Sequence, residues 1–249
     1  MNLRGSILFV FFAVSFSART GRAVVFSPIK LELSPSGAGT TGTFVVQNNT
    51  KAREAIEIFA AVRAMDVDGR ETNPEAEDKF LIYPPQMVLA PGEERNVRVT
   101  WVGDPTPRME LAFRLICEQL PVNLAIRRNN VGGNVRLLVR YSASVYIVPK
   151  GVRHEVVVDS VTSQKNDKGA STLAITLYNR GKAHALLKDL VVRVIAGGSK
   201  IPITLTNEQI QSMYGENILA ESKRRFVLPW PNNLPVAQLK VEIDFDRRQ

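Results

Sequence analysis

Side chains that carry covalent or metal chemistry are sparse and badly spaced for it. The two histidines, His154 and His184, have no metal-ligand pattern around them. Serines and aspartates are present, but no nucleophile elbow or triad signature accompanies them. Gly132-Gly133 is too short to cradle a phosphate and reads as a flexible loop. The single cysteine, Cys117, sits in the apolar run Leu115-Ile116-Cys117, where it reads as a small buried hydrophobe. No enzymatic activity, metal or cofactor is expected. The chemistry that the patterning does support is non-covalent: backbone hydrogen bonding along a strand, with apolar side chains offered from one face.

That pattern is clearest from Val135 to Ile147. The odd positions read Val, Leu, Val, Tyr, Ala, Val, Ile, and the even positions Arg, Leu, Arg, Ser, Ser, Tyr. Successive side chains of a strand point to opposite faces, so one face carries no charge and the other is mostly polar. Thirteen residues exceed the usual strand length of about 5–6. Alternation alone fits an ordinary half-buried strand. A long apolar strand with an unpaired edge is otherwise an aggregation hazard unless something covers it. Such an edge can also complete the sheet of another polypeptide, with alternate side chains filling that partner's pockets. The polar, Asn/Arg/Gly-rich segment 120–134 leads into the strand and reads as a long loop of the kind that is functional or disordered.

The elements that must position this strand are short β-rich runs. They include Thr43-Phe44-Val45-Val46, Ile56-Glu57-Ile58-Phe59, Asn96 to Trp101, Leu173 to Leu177, Leu190 to Val194 and Leu239 to Ile243. Gly, Pro, Asn and Asp separate them, as in β-sandwiches. The expected fold is all-β: two immunoglobulin-like β-sandwich domains, residues 24–149 and 151–249, joined by a short hinge at Pro149-Lys150-Gly151. A single helical turn or short helix is expected at Glu208 to Tyr214. No internal repeat is visible.

The N-terminus has a secretory layout. Arg4 precedes the apolar run Ile7 to Val14, and Gly21-Arg22-Ala23 supplies small residues for cleavage. Residues 1–23 are read as a signal peptide. The apolar run is short of the about 20 residues that a spanning helix needs, so no stable membrane insertion is expected. The formal charge of +8 includes Arg4, Arg19 and Arg22 of that segment, leaving +5 on the remainder. This suits an acidic partner surface. Without a dense basic run carrying interleaved aromatics, nucleic acid is not an expected partner. One cysteine in an exported chain allows no internal disulfide, so apolar burial alone must hold the domains.

Several stretches, in order, resemble the PapD-like periplasmic chaperones of the chaperone–usher pathway. Tyr83-Pro84-Pro85 through Leu89-Ala90-Pro91-Gly92 to Val99 resembles the family's strand, Pro-Pro pair and Pro-Gly turn. Met109 to Leu120-Pro121 is similar to its next strand, Val135 to Pro149 to its G1 donor strand, and Leu177-Tyr178-Asn179-Arg180-Gly181 to a turn in its second domain. The resemblance implies a periplasmic chaperone that binds pilus or fimbrial subunits by donor-strand complementation and delivers them to an outer-membrane usher. By position it implies Val135, Leu137 and Val139 as donor side chains, and Lys30 as an anchor for the subunit's C-terminal carboxylate. The family's second basic anchor falls on Ser144, which carries no charge. Arg140, on the same strand face, is a candidate substitute. Glu110 matches the acidic member of an interdomain charged cluster whose arginine is replaced by Val148. These departures mark a divergent branch.

A rival reading is an exported immunoglobulin-like structural or adhesive surface module. It predicts binding through loops at one end, with Val135 to Val139 dispensable.

Overall fold

The computed structural model describes residues 23–121, 138–199, 201–231, 234–235 and 238–246. The proposed signal segment up to residue 22, Val135 and Leu137 lie outside the described residues, as does most of segment 120–134.

In the first half the strands are β1 (Val24–Ser27), β2 (Lys30–Leu33), β3 (Thr41–Asn48), β4 (Glu54–Val62), β5 (Ala64–Met65), β6 (Glu71–Thr72), β7 (Phe80–Tyr83), β8 (Gln86–Leu89), β9 (Glu94–Trp101), β10 (Leu111–Gln119) and β11 (Arg140–Ile147). They form a sheet in the order β1-β3-β9-β7 facing a second in the order β2-β11-β10-β4-β8, with β5-β6 as a small hairpin. The chain crosses between the facing sheets at Pro28 and at the Pro84-Pro85 pair, where prolines cannot donate to a ladder. Alternate residues of the strands point inward. Phe44, Val46, Ile56, Ile58, Leu115 and Val145 are essentially closed to solvent.

The second half contains β12 (Val156–Lys165), β13 (Ser171–Asn179), β14 (Ala185–Leu186), β15 (Val191–Ala196), β16 (Ile203–Thr204), β17 (Asn217–Ile218), β18 (Lys223–Pro229) and β19 (Leu239–Asp244). Its sheets are β12-β13-β18, β14-β17 and β16-β15-β19, around a separate core that includes Leu173, Ile175, Leu177 and Val192. No strand ladder among the described residues joins the two halves. The architecture is two packed β-sandwiches, as the strand spacing implied. Residues 207–215 form consecutive turns rather than the short helix expected there. Ile210 N–H bonds back to Thr206 C=O, but the pattern stops at Gly215, which adopts φ 76°.

Each sandwich is closed at one corner by a buried asparagine. Asn48 Nδ2 donates to the carbonyls of Ala52, Leu89 and Ala90, and its Oδ1 accepts from Thr50 N–H. Asn179 repeats the device, donating to Ala183, Ile218 and Leu219 while its Oδ1 accepts from Glu155 and Gly181 N–H. The two halves thus share a structural element that the surrounding residues conceal in the sequence.

The sandwiches touch through the β5–β6 hairpin. Its turn places Val67 C=O on Arg225 N–H at 2.6 Å, and Asp68 takes a two-pronged bond from the Arg225 guanidinium at 2.7 Å per prong. Gly69, with φ 81°, lies against the Arg224 guanidinium, where a Cβ would meet Nη1 at 0.9 Å. The positive φ favours glycine there, and any larger residue would also displace the Arg224 guanidinium. Among the described residues no helix is long and apolar enough to cross a membrane.

Candidate functional site

Strand β11 is paired along its whole length on one side only. On that side β10 runs antiparallel to it from Glu118↔Arg140 to Leu111↔Ile147. On the other side β2 runs parallel and joins only from Lys30↔Ser144 onward, to Leu33↔Ile147. Ser144 N–H reaches Ile29 C=O at 2.9 Å. Backbone groups on a strand alternate direction, so those of Arg140 and Ser142 point to the same side as Ser144 N–H. Among the described residues no strand meets them there. The start of β11 is an open edge.

The two faces of β11 divide differently from the simplest expectation. Tyr141, Ala143, Val145 and Ile147 all pack with this protein's own first core. Over that stretch the alternation is that of a half-buried strand. Val139 is half-buried, Leu138 is 47% exposed, and Val135 and Leu137 lie outside the described residues.

The even-numbered face of β11 carries the polar chemistry. Ser144 sits between Lys30 on β2 and Arg114 on β10, in one row across three strands. Arg114 Nη1 donates to Ser144 Oγ at 2.7 Å. Its Nε and Nη2 donate to the two Glu71 oxygens at 2.9 and 2.6 Å. Arg63 also donates to Glu71, at 2.9 Å, and to the Tyr146 hydroxyl at 2.7 Å. Two guanidiniums thus share one carboxylate, leaving an excess of one positive charge. Lys30 Nζ lies 2.8 Å from Glu32 and 5.6 Å above the Tyr146 ring, and remains about half exposed. Arg140 points elsewhere on the same face. It lies 3.6 Å from Glu118 and over Phe59, while the cation on Ser144 is Arg114.

Burial alone would raise the carboxyl of Glu71. The Arg114 hydrogen bond and the charges of Arg63 and Arg114 outweigh it and hold Glu71 below its ordinary value. Cys117, on the opposite face of β10, is pushed by burial up to about 12 and is an inert thiol at neutral pH.

Tyr146 links this row to the second sandwich. Its ring stacks on His184 at 4.0 Å and 7°, and its hydroxyl accepts from Asn217 Nδ2 at 2.9 Å. His184 Nδ1 lies 2.7 and 2.9 Å from the Glu110 oxygens, and both residues are buried. Glu110 therefore does have an interdomain partner: His184, not a residue at position 148. His184 is a buried junction residue rather than a solitary one. A cleft of about 410 Å³ opens beside this junction, lined by Lys30, Glu32, Glu110, Val148, Arg153 and His184 among others. Among the described residues no group of His, Cys, Asp or Glu is arranged to hold a metal.

Arg114, Glu71 and Tyr146 escaped the sequence reading. One signal for Arg114 was present: a lone cation within the apolar run Leu111-Ala112-Phe113-Arg114-Leu115-Ile116. A buried charge needs a partner, but nothing in sequence spacing names Glu71, 43 positions away, as that partner.

Residues 34–153 match the family described as "Pili and flagellar-assembly chaperone, PapD N-terminal domain". No curated protein matches the chain in sequence. Among solved structures, the class 5 fimbriae chaperone CfaA is similar in fold, with 16% identity and a TM-score of 0.52 over 90% of this chain and 100% of that one. CsuC–CsuE, the chaperone–tip subunit complex of Csu pili from Acinetobacter baumannii, gives 14% identity and a TM-score of 0.53, covering 82% and 89%. The E. coli chaperone DraB gives 15% identity and a TM-score of 0.50, covering 85% and 88%. Residues 34–153 thus carry the match to the pilus-chaperone N-terminal domain family, and the solved fimbrial chaperones share the two-sandwich fold of the whole chain.

Proposed function

We propose that this chain is exported, through cleavage of residues 1–23, to the periplasm. There its two domains, 24–149 and 151–249, hold pilus subunits by donor-strand complementation and pass them to an outer-membrane usher. The observation that carries this reading is the open edge of β11, where Arg140 and Ser142 have no strand partner among the described residues. An extended subunit segment pairing there satisfies those backbone groups and shields the edge. Val135, Leu137 and Val139 are the donor side chains. Each aliphatic side chain fully buried contributes roughly 1.5–3 kcal/mol before ordering costs.

Lys30 and Ser144 anchor the subunit's terminal carboxylate, with Arg114 supplying the charge that Ser144 lacks. The support is their single row across β2, β11 and β10, half-exposed at Lys30 and bordered by the interdomain cleft. A carboxylate there receives charge-assisted hydrogen bonds, the strong kind. Arg140 lies near the start of the open edge and serves register through Glu118 rather than the anchor. The partner printed for one similar fold agrees in kind: CsuC is described in complex with a tip subunit.

The test is to co-express Leu137→Asp or Val139→Asp with candidate subunits and measure subunit recovered from the periplasm. Recovery should collapse while the chaperone itself accumulates normally. Undiminished recovery with both variants overturns donor-strand complementation.

A further inference from the structure

Away from the subunit row, five cations crowd the hinge between the sandwiches. Arg108, Lys150, Arg153, Arg180 and Lys182 line a shallow hollow of about 720 Å³ that contains one carboxylate, Glu155. All five are exposed. None makes an ion pair with any described residue.

The segments bearing these cations are strapped together by backbone bonds. Lys182 N–H donates to Arg153 C=O at 2.8 Å, and Arg180 N–H to Glu155 C=O at 2.8 Å. Glu110 N–H donates to Lys182 C=O at 2.8 Å, tying the loop of Arg108 to the same turn. Gly181 packs so closely that an added Cβ would lie 2.4 Å from Arg153 C=O. The cations are therefore held near one another by a fixed frame, against their mutual repulsion, with Glu155 as the one carboxylate among them.

We infer that this hinge hollow is a docking site for an acidic polypeptide segment of an assembly partner. With Glu155 counted, the six charged groups sum to +4. One phosphate group carries about −1.5 to −2 and leaves the excess uncancelled. A run of four or more Asp or Glu side chains matches the charge. Because Arg108 and Lys150 lie on the first-domain side and Arg180 and Lys182 on the second, the bound segment would also staple the domains together. This proposal is independent of the donor-strand reading, since it uses none of those residues.

The experiment uses the full mature chain and a fluorescein-labelled octaglutamate peptide, followed by anisotropy. Binding is expected at low salt, weakened at least tenfold in the Arg180→Gln/Lys182→Gln double variant with thermal stability unchanged. Raising salt should weaken it further, because exposed charges are screened beyond about 10 Å at 0.1 M. Three results each overturn the proposal: absence of peptide binding, equal binding by the double variant, or equally effective competition by inorganic phosphate or anionic lipid vesicles.

Discussion

Arg114 on β10 donates to Ser144 on β11 at 2.7 Å and so places a guanidinium beside a residue that carries no charge of its own. The charge reaches the row beside Lys30 from a neighbouring strand, with Glu71 fixing its orientation from behind. If this row grips a subunit carboxylate, Arg114→Ala and Lys30→Ala should each weaken subunit binding about 10- to 100-fold, the loss of one charge-assisted bond. Affinity measured by calorimetry against a purified subunit checks it. A subunit lacking its last residues should bind wild type and variants alike. Unchanged affinity in both variants removes the row from the site.

Glu71 makes the same row sensitive to acid. Its carboxyl is held below the ordinary value of 4.5, so the ionised form is favoured in the folded chain. The resulting stability is complete above the unfolded value and is lost as pH falls through the lowered folded value. Glu71→Gln should therefore lower the melting temperature clearly at pH 7 and progressively less towards about pH 3. Thermal melts across that range decide it. A gap that stays constant with pH contradicts the assignment.

The asparagine corners should be costly to remove. Asn179→Ala leaves the carbonyls of Ala183, Ile218 and Leu219 and the N–H groups of Glu155 and Gly181 without their side-chain partner. A loss of roughly 2–4 kcal/mol in unfolding free energy is expected for Asn179→Ala and for Asn48→Ala. Denaturant titration should show the loss as a lower midpoint. If the second sandwich unfolds independently, the Asn179 variant alone should lower its transition and spare the first.

Cys117 offers a probe of the first core. Burial pushes its thiol up to about 12, and the residue is 1% exposed. Iodoacetamide at neutral pH should leave it unmodified in the native protein and alkylate it fully in denaturant. Mass spectrometry reads this directly. Rapid labelling of the native chain would mean that β10 opens far more readily than its packing implies.

Removing the Glu110–His184 contact should loosen the two sandwiches relative to each other without unfolding either. Each of the pair is buried and the imidazole also stacks on Tyr146. Replacing His184 with Phe keeps the stack and the backbone N–H bond to Glu110 but deletes the imidazole contact. Small-angle scattering should then show a broader range of domain separations than for wild type, with circular dichroism unchanged. An identical scattering profile would assign the interdomain angle to the remaining contacts, the β5–β6 hairpin and the Tyr146–Asn217 bond among them.

Much of this protein was legible in the linear chain, because β-structure writes a local code. Period-two alternation, as in Val97 and Val99 of β9 or Leu173, Ile175 and Leu177 of β13, states which residues face inward. Pro91-Gly92 states where the chain turns: Gly92 does adopt φ 79°. The same code placed Cys117 inside. It also spread one signature, Val135 to Ile147, over a strand whose described part mostly feeds this protein's own core. Alternation reports a face; it does not report whether the cover comes from the same chain. The partners of charges were invisible because they come from ladders and junctions. Arg114 finds Glu71 across 43 positions, Tyr146 finds Asn217 across 71, and Glu110 finds His184 across 74. Apolar periodicity is fixed by neighbours in sequence and so was determined by the sequence read alone. The distances between charged groups are fixed by which strands lie side by side, and only the folded arrangement decided those.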